Sequence, residues 1–232
     1  MHLHRAQSSA LTRKRFLIGS AMLAGAGMTA PVLAANEAAP MSPDAALAKL
    51  KAGNATFIEH VSTTRTQTIE ERAALGKGQA PFASVLACAD SRTTPEIVFN
   101  QGLGDIFVVR VAGNVATATE LASLEYASAV LKSPLIVVMG HSACGAVKAA
   151  IDLTKGQTFP GDIQTLAKII EPAATKTKSE AGDWVVNAIQ ENVRLTKATV
   201  AASPVLAELA NSGGLKIVGA YYQLETGIVT WL

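Results

Sequence analysis

The chain has 232 residues, 49% of them hydrophobic, and a formal net charge of +2, a length that supports one sizeable domain with a real core. Four of its 20 basic residues, Arg5, Arg13, Lys14 and Arg15, precede the first acidic residue, Glu37. The remainder carries 16 basic against 18 acidic groups and lacks the concentrated basic surface of a nucleic-acid binder.

Thr12-Arg13-Lys14-Arg15-Phe16-Leu17 leads into an apolar run rich in Gly and Ala over 18–30, and Pro31-Val32-Leu33-Ala34-Ala35 follows with small residues suited to signal peptidase. A basic start, an apolar middle and a small-residue cut site predict an export signal over 1–34 and a mature domain over 35–232. The run approaches spanning length. Gly19, Gly25 and Gly27 make it a poor lipid-facing helix, so no stable membrane association is expected after cleavage. The segment resembles a twin-arginine export signal, with Lys14 standing where the second arginine of the pair is usual. That resemblance implies a periplasmic protein.

Ser42-Pro43-Asp44 opens a helix, with Ser42 as N-cap and Leu47, Leu50, Asn54 and Phe57 as its stripe. A second helix is predicted over 68–75, stopped by Gly76. The apolar run 83–87, closed by Cys88, reads as a buried parallel strand, and a turn through Thr93-Thr94-Pro95 follows. The next strand is 105–110. Thr117 caps a helix carrying Leu121, Leu124, Tyr126, Ala127 and Leu131, and Pro134 ends it before the strand 135–140, which His141 closes. Helices over 143–153, 163–176, 183–202 and 204–211 lead through Gly213-Gly214 to a last pair of strands, 216–222 and 227–232. Strands alternating with helices predict an α/β fold, a single domain with a mostly parallel sheet flanked by helices.

In such a sheet the strand ends share one crevice, where ligands bind. Two strand ends deliver Cys88-x-Asp90 and His141-x-x-Cys144 to it. Two thiolates, an imidazole and a carboxylate suit tetrahedral Zn²⁺. Cys88 and Cys144 are the only cysteines, so a disulfide is the alternative, but it leaves Asp90, Arg92 and His141 unexplained. Gly102-Leu103-Gly104 is no dinucleotide loop, since Phe107 stands where a third glycine belongs. Neither Ser91 nor Ser142 sits in a Gly-x-Ser-x-Gly elbow. His60 ends a helix and reads as a dipole partner.

Cys88-Ala89-Asp90-Ser91-Arg92 and His141-Ser142-Ala143-Cys144-Gly145 resemble the two signature motifs of the β-class carbonic anhydrases. The likeness extends to Gly53-Asn54 and Phe57, to Gly113-Asn114 and to Gly219-Ala220-Tyr221-Tyr222. It implies zinc-dependent, reversible hydration of CO₂ to bicarbonate and a proton by zinc-bound hydroxide, with one Zn²⁺ per chain, in a homodimer or dimer-built tetramer. Carried over by residue, it makes Cys88, His141 and Cys144 the permanent ligands. Asp90 either takes the fourth metal position or yields it to water, and Arg92 is its partner. Gln79, nine positions before Cys88, would hydrogen-bond substrate, and the Gly145 N–H would face bicarbonate. Phe107 and Tyr126 would line the pocket from across a dimer interface.

A catalytic zinc needs an open position, and Arg92 has the donor fork to hold Asp90 away from it. Two other readings keep the same residues. One is a hydrolase of COS or CS₂ on this scaffold; the other is a non-catalytic zinc protein with Asp90 locked on the metal.

Overall fold

Strands β1 (Ala83–Ala87), β2 (Ile106–Arg110), β3 (Leu135–His141), β4 (Lys216–Tyr222) and β5 (Val229–Trp231) form one sheet in the order β2-β1-β3-β4-β5. The structure, a computed structural model, describes residues 41–59 and 68–232. The expected export signal over 1–34 and His60 lie outside the described residues. The first four strands in the sheet order run parallel, and β5 pairs antiparallel with β4. The expected α/β class and mostly parallel sheet are therefore present.

Both faces of the sheet are covered, which is why β1 and β3 are apolar except for Ser84 and His141 and buried at every position. Side chains still alternate between the two faces. Val85, Ala87, Val137 and Met139 pack with Leu50 and Phe99 on one side. Leu86, Ile136 and Val138 pack with Leu124, Val193 and Leu206 on the other. Burying each such aliphatic side chain contributes about 1.5–3 kcal/mol before the entropy of ordering is counted.

Helix α1 (Pro43–Ile58) starts as expected, with the Ala45 N–H donating to Ser42 Oγ at 3.2 Å. Helix α2 (Ile69–Leu75) opens on a reciprocal cap between Thr68 and Glu71 and buries none of its residues. Where a turn was expected, Pro95 starts the short helix α3 (Pro95–Val98), since its missing N–H and preset φ suit a first turn. Helix α4 (Ala118–Glu125) gives way to a π-turn over Tyr126–Val130 ahead of β3. Helices α5 (Gly145–Thr154), α6 (Asp162–Thr177), α7 (Trp184–Ala201) and α8 (Pro204–Asn211) complete the cover.

Two boundaries differ from expectation for a backbone reason. Ala143 has φ +58°, so α5 starts only at Gly145 and 143 belongs to a loop. Gly227 has φ +76°, which keeps it in a turn and delays β5 to Val229.

Candidate metal centre

Cys88 follows the last residue of β1, and His141 is the last residue of β3. Ala87 pairs with Met139, so the two neighbouring strands end side by side. The left-handed residue Ala143 then turns the chain so that Cys144 comes back as the N-cap of α5. The result is a cluster in which the donor atoms of Cys88, His141 and Cys144 all lie within 4.8 Å of one another, all three residues being buried.

The chemistry of this donor set fits a metal ion. His141 Nδ1 lies 2.9 Å from the Ser142 carbonyl oxygen, which can only accept. Nδ1 therefore carries the hydrogen, and Nε2 keeps its lone pair. That Nε2 is buried and has no hydrogen-bond partner. An unmet buried acceptor beside two thiols is costly in a protein interior and is met by a cation. Cys88 Sγ receives N–H groups from Gly113 at 3.3 Å and Asp90 at 3.5 Å. The Cys144 thiol beside it, together with these N–H groups, draws its pKa down to about 4. Cys144 is pushed the other way by Cys88 and by burial. Two adjacent thiols share one negative charge by themselves; a divalent cation lets both ionise.

Asp90 does not join that cluster. Its Oδ1 accepts from Arg92 Nε at 2.9 Å and from the Arg92 backbone N–H at 3.0 Å, and its Oδ2 accepts from Arg92 Nη2 at 2.7 Å. This fork holds the Asp90 carboxyl well below the usual carboxylate range, and the Arg92 guanidinium is raised in turn. Oδ2 nevertheless stands 3.9 Å from His141 Nε2, at the edge of the site. Three donors thus converge and the fourth candidate is held aside.

Of the remaining expected residues, Gly145 is the first residue of α5, and a Cβ there would meet nothing within 4 Å, so its backbone faces open space. Gln79 stands in an open groove of about 490 Å³ lined by Leu75, Gly76, Lys77, Gly78, Leu103 and Gly104, away from the cysteines and His141. Phe107 and Tyr126 form a tilted pair with ring centroids 6.3 Å apart. Phe107 pairs with Ser84, four residues before Cys88, which places it about 13 Å down the strand from its own chain's site.

Sequence reasoning missed the residues that brace the loops. Arg110 donates from Nε to the Cys88 carbonyl at 3.0 Å and from Nη2 to the Asp90 carbonyl. Buried Thr93 donates to the same two carbonyls. Asn192 of α7 donates to the Gly113 carbonyl at 2.8 Å and so steadies the residue whose N–H reaches Cys88. Arg110 closes a strand that runs beside β1, a position from which its reach could have been inferred. Asn192 is 79 positions from Gly113 and left no local signal.

A family model described as carbonic anhydrase matches residues 83–229. A relative named carbonic anhydrase 2, from Mycobacterium tuberculosis, is 41% identical over 188 residues, covering 80% of this chain and 91% of its own. Among solved structures, the β-carbonic anhydrase CcaA superposes with a TM-score of 0.65 at 27% identity, over 80% of this chain and 94% of that one. One of two tetrameric β-carbonic anhydrases from Sordaria macrospora gives 0.64 at 26% identity, over 78% and 93%. The family match over most of the described residues and these likenesses in sequence and fold agree, and the chain belongs to the carbonic anhydrase family, in its β class.

Proposed function

We propose that this chain carries out its family's reaction, the reversible hydration of CO₂ to bicarbonate and a proton, with one Zn²⁺ held by Cys88, His141 and Cys144. The observation that carries this reading is the three-donor cluster with Asp90 clasped by Arg92, since a catalytic zinc keeps one position free of protein. The same clasp argues against a closed, non-catalytic site. Zinc held there supplies the Lewis acidity that makes water nucleophilic near neutral pH.

The chain's own residues do the rest. Cys88 and Cys144 bring two negative charges, which damp that acidity relative to a site of neutral imidazoles. Arg92 keeps the Asp90 carboxylate charged and turned so that Oδ2, at the edge of the cluster, can accept a hydrogen bond from the attacking water. The Gly145 N–H, in the first turn of α5, offers a donor to the developing bicarbonate.

The working unit in this reading is a homodimer or a tetramer built from dimers. Phe107 and Tyr126 sit too far down the sheet to line their own chain's site, and Tyr126 is 48% exposed, as a residue awaiting a partner would be. Gln79, which lies away from its own chain's metal-binding residues, would reach substrate only in such an assembly, and the tetrameric relative supports an assembled form. Residues 1–34 direct export to the periplasm by a twin-arginine type of route, which moves folded proteins and so lets zinc shield both thiols before they meet an oxidising compartment.

Stopped-flow CO₂ hydration by the zinc-loaded full chain, read beside zinc content, tests the proposal. The expected result is about one zinc per chain and activity that chelation removes. A zinc-loaded chain without hydration activity overturns it.

A further inference from the structure

The aim of the His141 ring depends on a peptide that is held from the far end of the chain. Nδ1–H donates to the Ser142 carbonyl, so the position of the Ser142 peptide sets the direction of Nε2. Three hydrogen bonds fasten Ser142, and all come from β4 and the turn after it. The Ser142 N–H donates to the Tyr222 carbonyl at 2.9 Å. The Leu224 N–H donates to Ser142 Oγ at 3.0 Å, and that hydroxyl donates onward to Glu225 Oε2 at 3.2 Å. Ser142 is buried, and its hydroxyl is used in both directions.

The turn is itself pinned. Gln223 N–H donates to the Ile228 carbonyl and Gly227 N–H to the Gln223 carbonyl, both at 2.9 Å. From α1, buried Asn54 donates to the Gly227 carbonyl at 2.9 Å and accepts from the Val229 N–H at 3.0 Å. A continuous run of hydrogen bonds therefore connects α1, the β4–β5 turn and the imidazole.

We propose that the β4–β5 turn is a clamp that aims His141 Nε2 at the metal, with Ser142 and Glu225 as its positioning residues. The proposal rests on the zinc site argued above. Neither residue touches the metal or substrate; both act through the Ser142 carbonyl, which accepts from His141 Nδ1–H. Glu225 contributes an acceptor oxygen rather than a charge, and Ser142 contributes the hydroxyl that links the two segments.

The test follows zinc transfer from the zinc-loaded full chain to an excess of chelator, together with the visible spectrum of the cobalt-substituted protein. Ser142→Ala and Glu225→Ala are expected to release zinc about tenfold faster than the parent and to shift the cobalt bands. Glu225→Gln, which keeps an acceptor oxygen in the same place, is expected to match the parent in both readouts. Glu225 is exposed, so its replacement leaves the core intact. Parental release rates and cobalt bands in both alanine variants overturn the clamp. Faster release with unchanged cobalt bands also overturns it, because the turn would then serve stability alone. A Glu225→Gln protein as leaky as Glu225→Ala overturns the hydrogen-bond mechanism. If the parent itself holds no zinc, the zinc reading fails, and this proposal with it.

Discussion

At the end of β1 the metal-site loop is tied by two cations and one hydroxyl. Arg110 and Thr93 hold its carbonyls, and Arg92, whose side chain is 56% exposed, holds Asp90. At the end of β3 the loop is tied mainly in the interior, by a left-handed Ala143, a helix cap at Cys144 and the doubly used hydroxyl of buried Ser142, whose one charged partner, Glu225, stands at the surface. The two loops reach the same cluster by opposite means. The first keeps a charged group in reach of solvent and adjustable; the second keeps two ligands where little can move. A site that must bind a metal permanently and yet leave one position open needs both kinds of support.

Removing a ligand from the rigid loop should have the largest effect. Cys144→Ala takes one of three donors, so zinc content should fall close to zero. Activity should fall by more than the roughly 100-fold that the loss of an outer-shell partner costs. Metal analysis after dialysis checks it. A variant that keeps a full complement of zinc would break the assignment of that loop as the permanent half.

Arg92→Ala probes the adjustable loop and should separate binding from catalysis. Zinc should stay, because Arg92 supplies no donor to the cluster, while CO₂ hydration falls on the order of 10²-fold. The parent should gain activity from pH 6.5 to 9, since the two thiolates damp the acidity that zinc confers on water. Protonation of Asp90 cannot be the source of that rise, because Arg92 holds its carboxyl far below this window. Rate profiles over the same range, measured beside zinc content, decide between these roles. Near-parental rates in a zinc-replete Arg92→Ala protein would show that the clasp is not part of the mechanism.

Gly113→Ala addresses the brace beneath both loops. Gly113 has φ +72°, and a Cβ there would stand 2.5 Å from Ile170 Cδ1. Left-handed strain and overpacking together predict a loss of about 2–4 kcal/mol, read as a lower urea midpoint. The N–H to Cys88 should be disturbed as well, so zinc should be held less tightly.

The smallest effect concerns acid stability of the metal-free protein. Asp90 has a folded pKa below its unfolded value of about 3.9, so its contribution is present above that value and is lost as pH falls through the folded one. Urea midpoints from pH 5 to 2 should therefore drop less steeply in Arg92→Ala than in the parent. Arg92 is largely exposed, so solvent screening keeps this difference small.

Much of this was legible in the amino-acid sequence. Apolar runs bounded by Gly, Pro and caps marked the strands and most helices, because burial of both sheet faces leaves uninterrupted hydrophobic stretches. Cys88, Asp90, Arg92, His141 and Cys144 stood out because their spacings are short and their chemistry is shared. The π-turn at Tyr126 and the late start of α5 were not legible, since both depend on backbone dihedrals that side-chain type only biases. The bracing residues Asn192 and Glu225 were equally hidden, and Arg110 was legible only through the strand that it closes beside β1. Each is an ordinary polar residue whose partner lies between 20 and 83 positions away.

Periodicity and ligand chemistry are local properties that short spacings preserve, so the fold class and the candidate metal-binding groups could be read without a structure. Only the tertiary structure decided that Asp90 is clasped by Arg92 instead of joining the cluster, and that His141 presents Nε2 with Nδ1 already used. Those choices turn on hydrogen bonds a few tenths of an ångström either side of 3 Å. Such distances exist only once remote segments have been packed together.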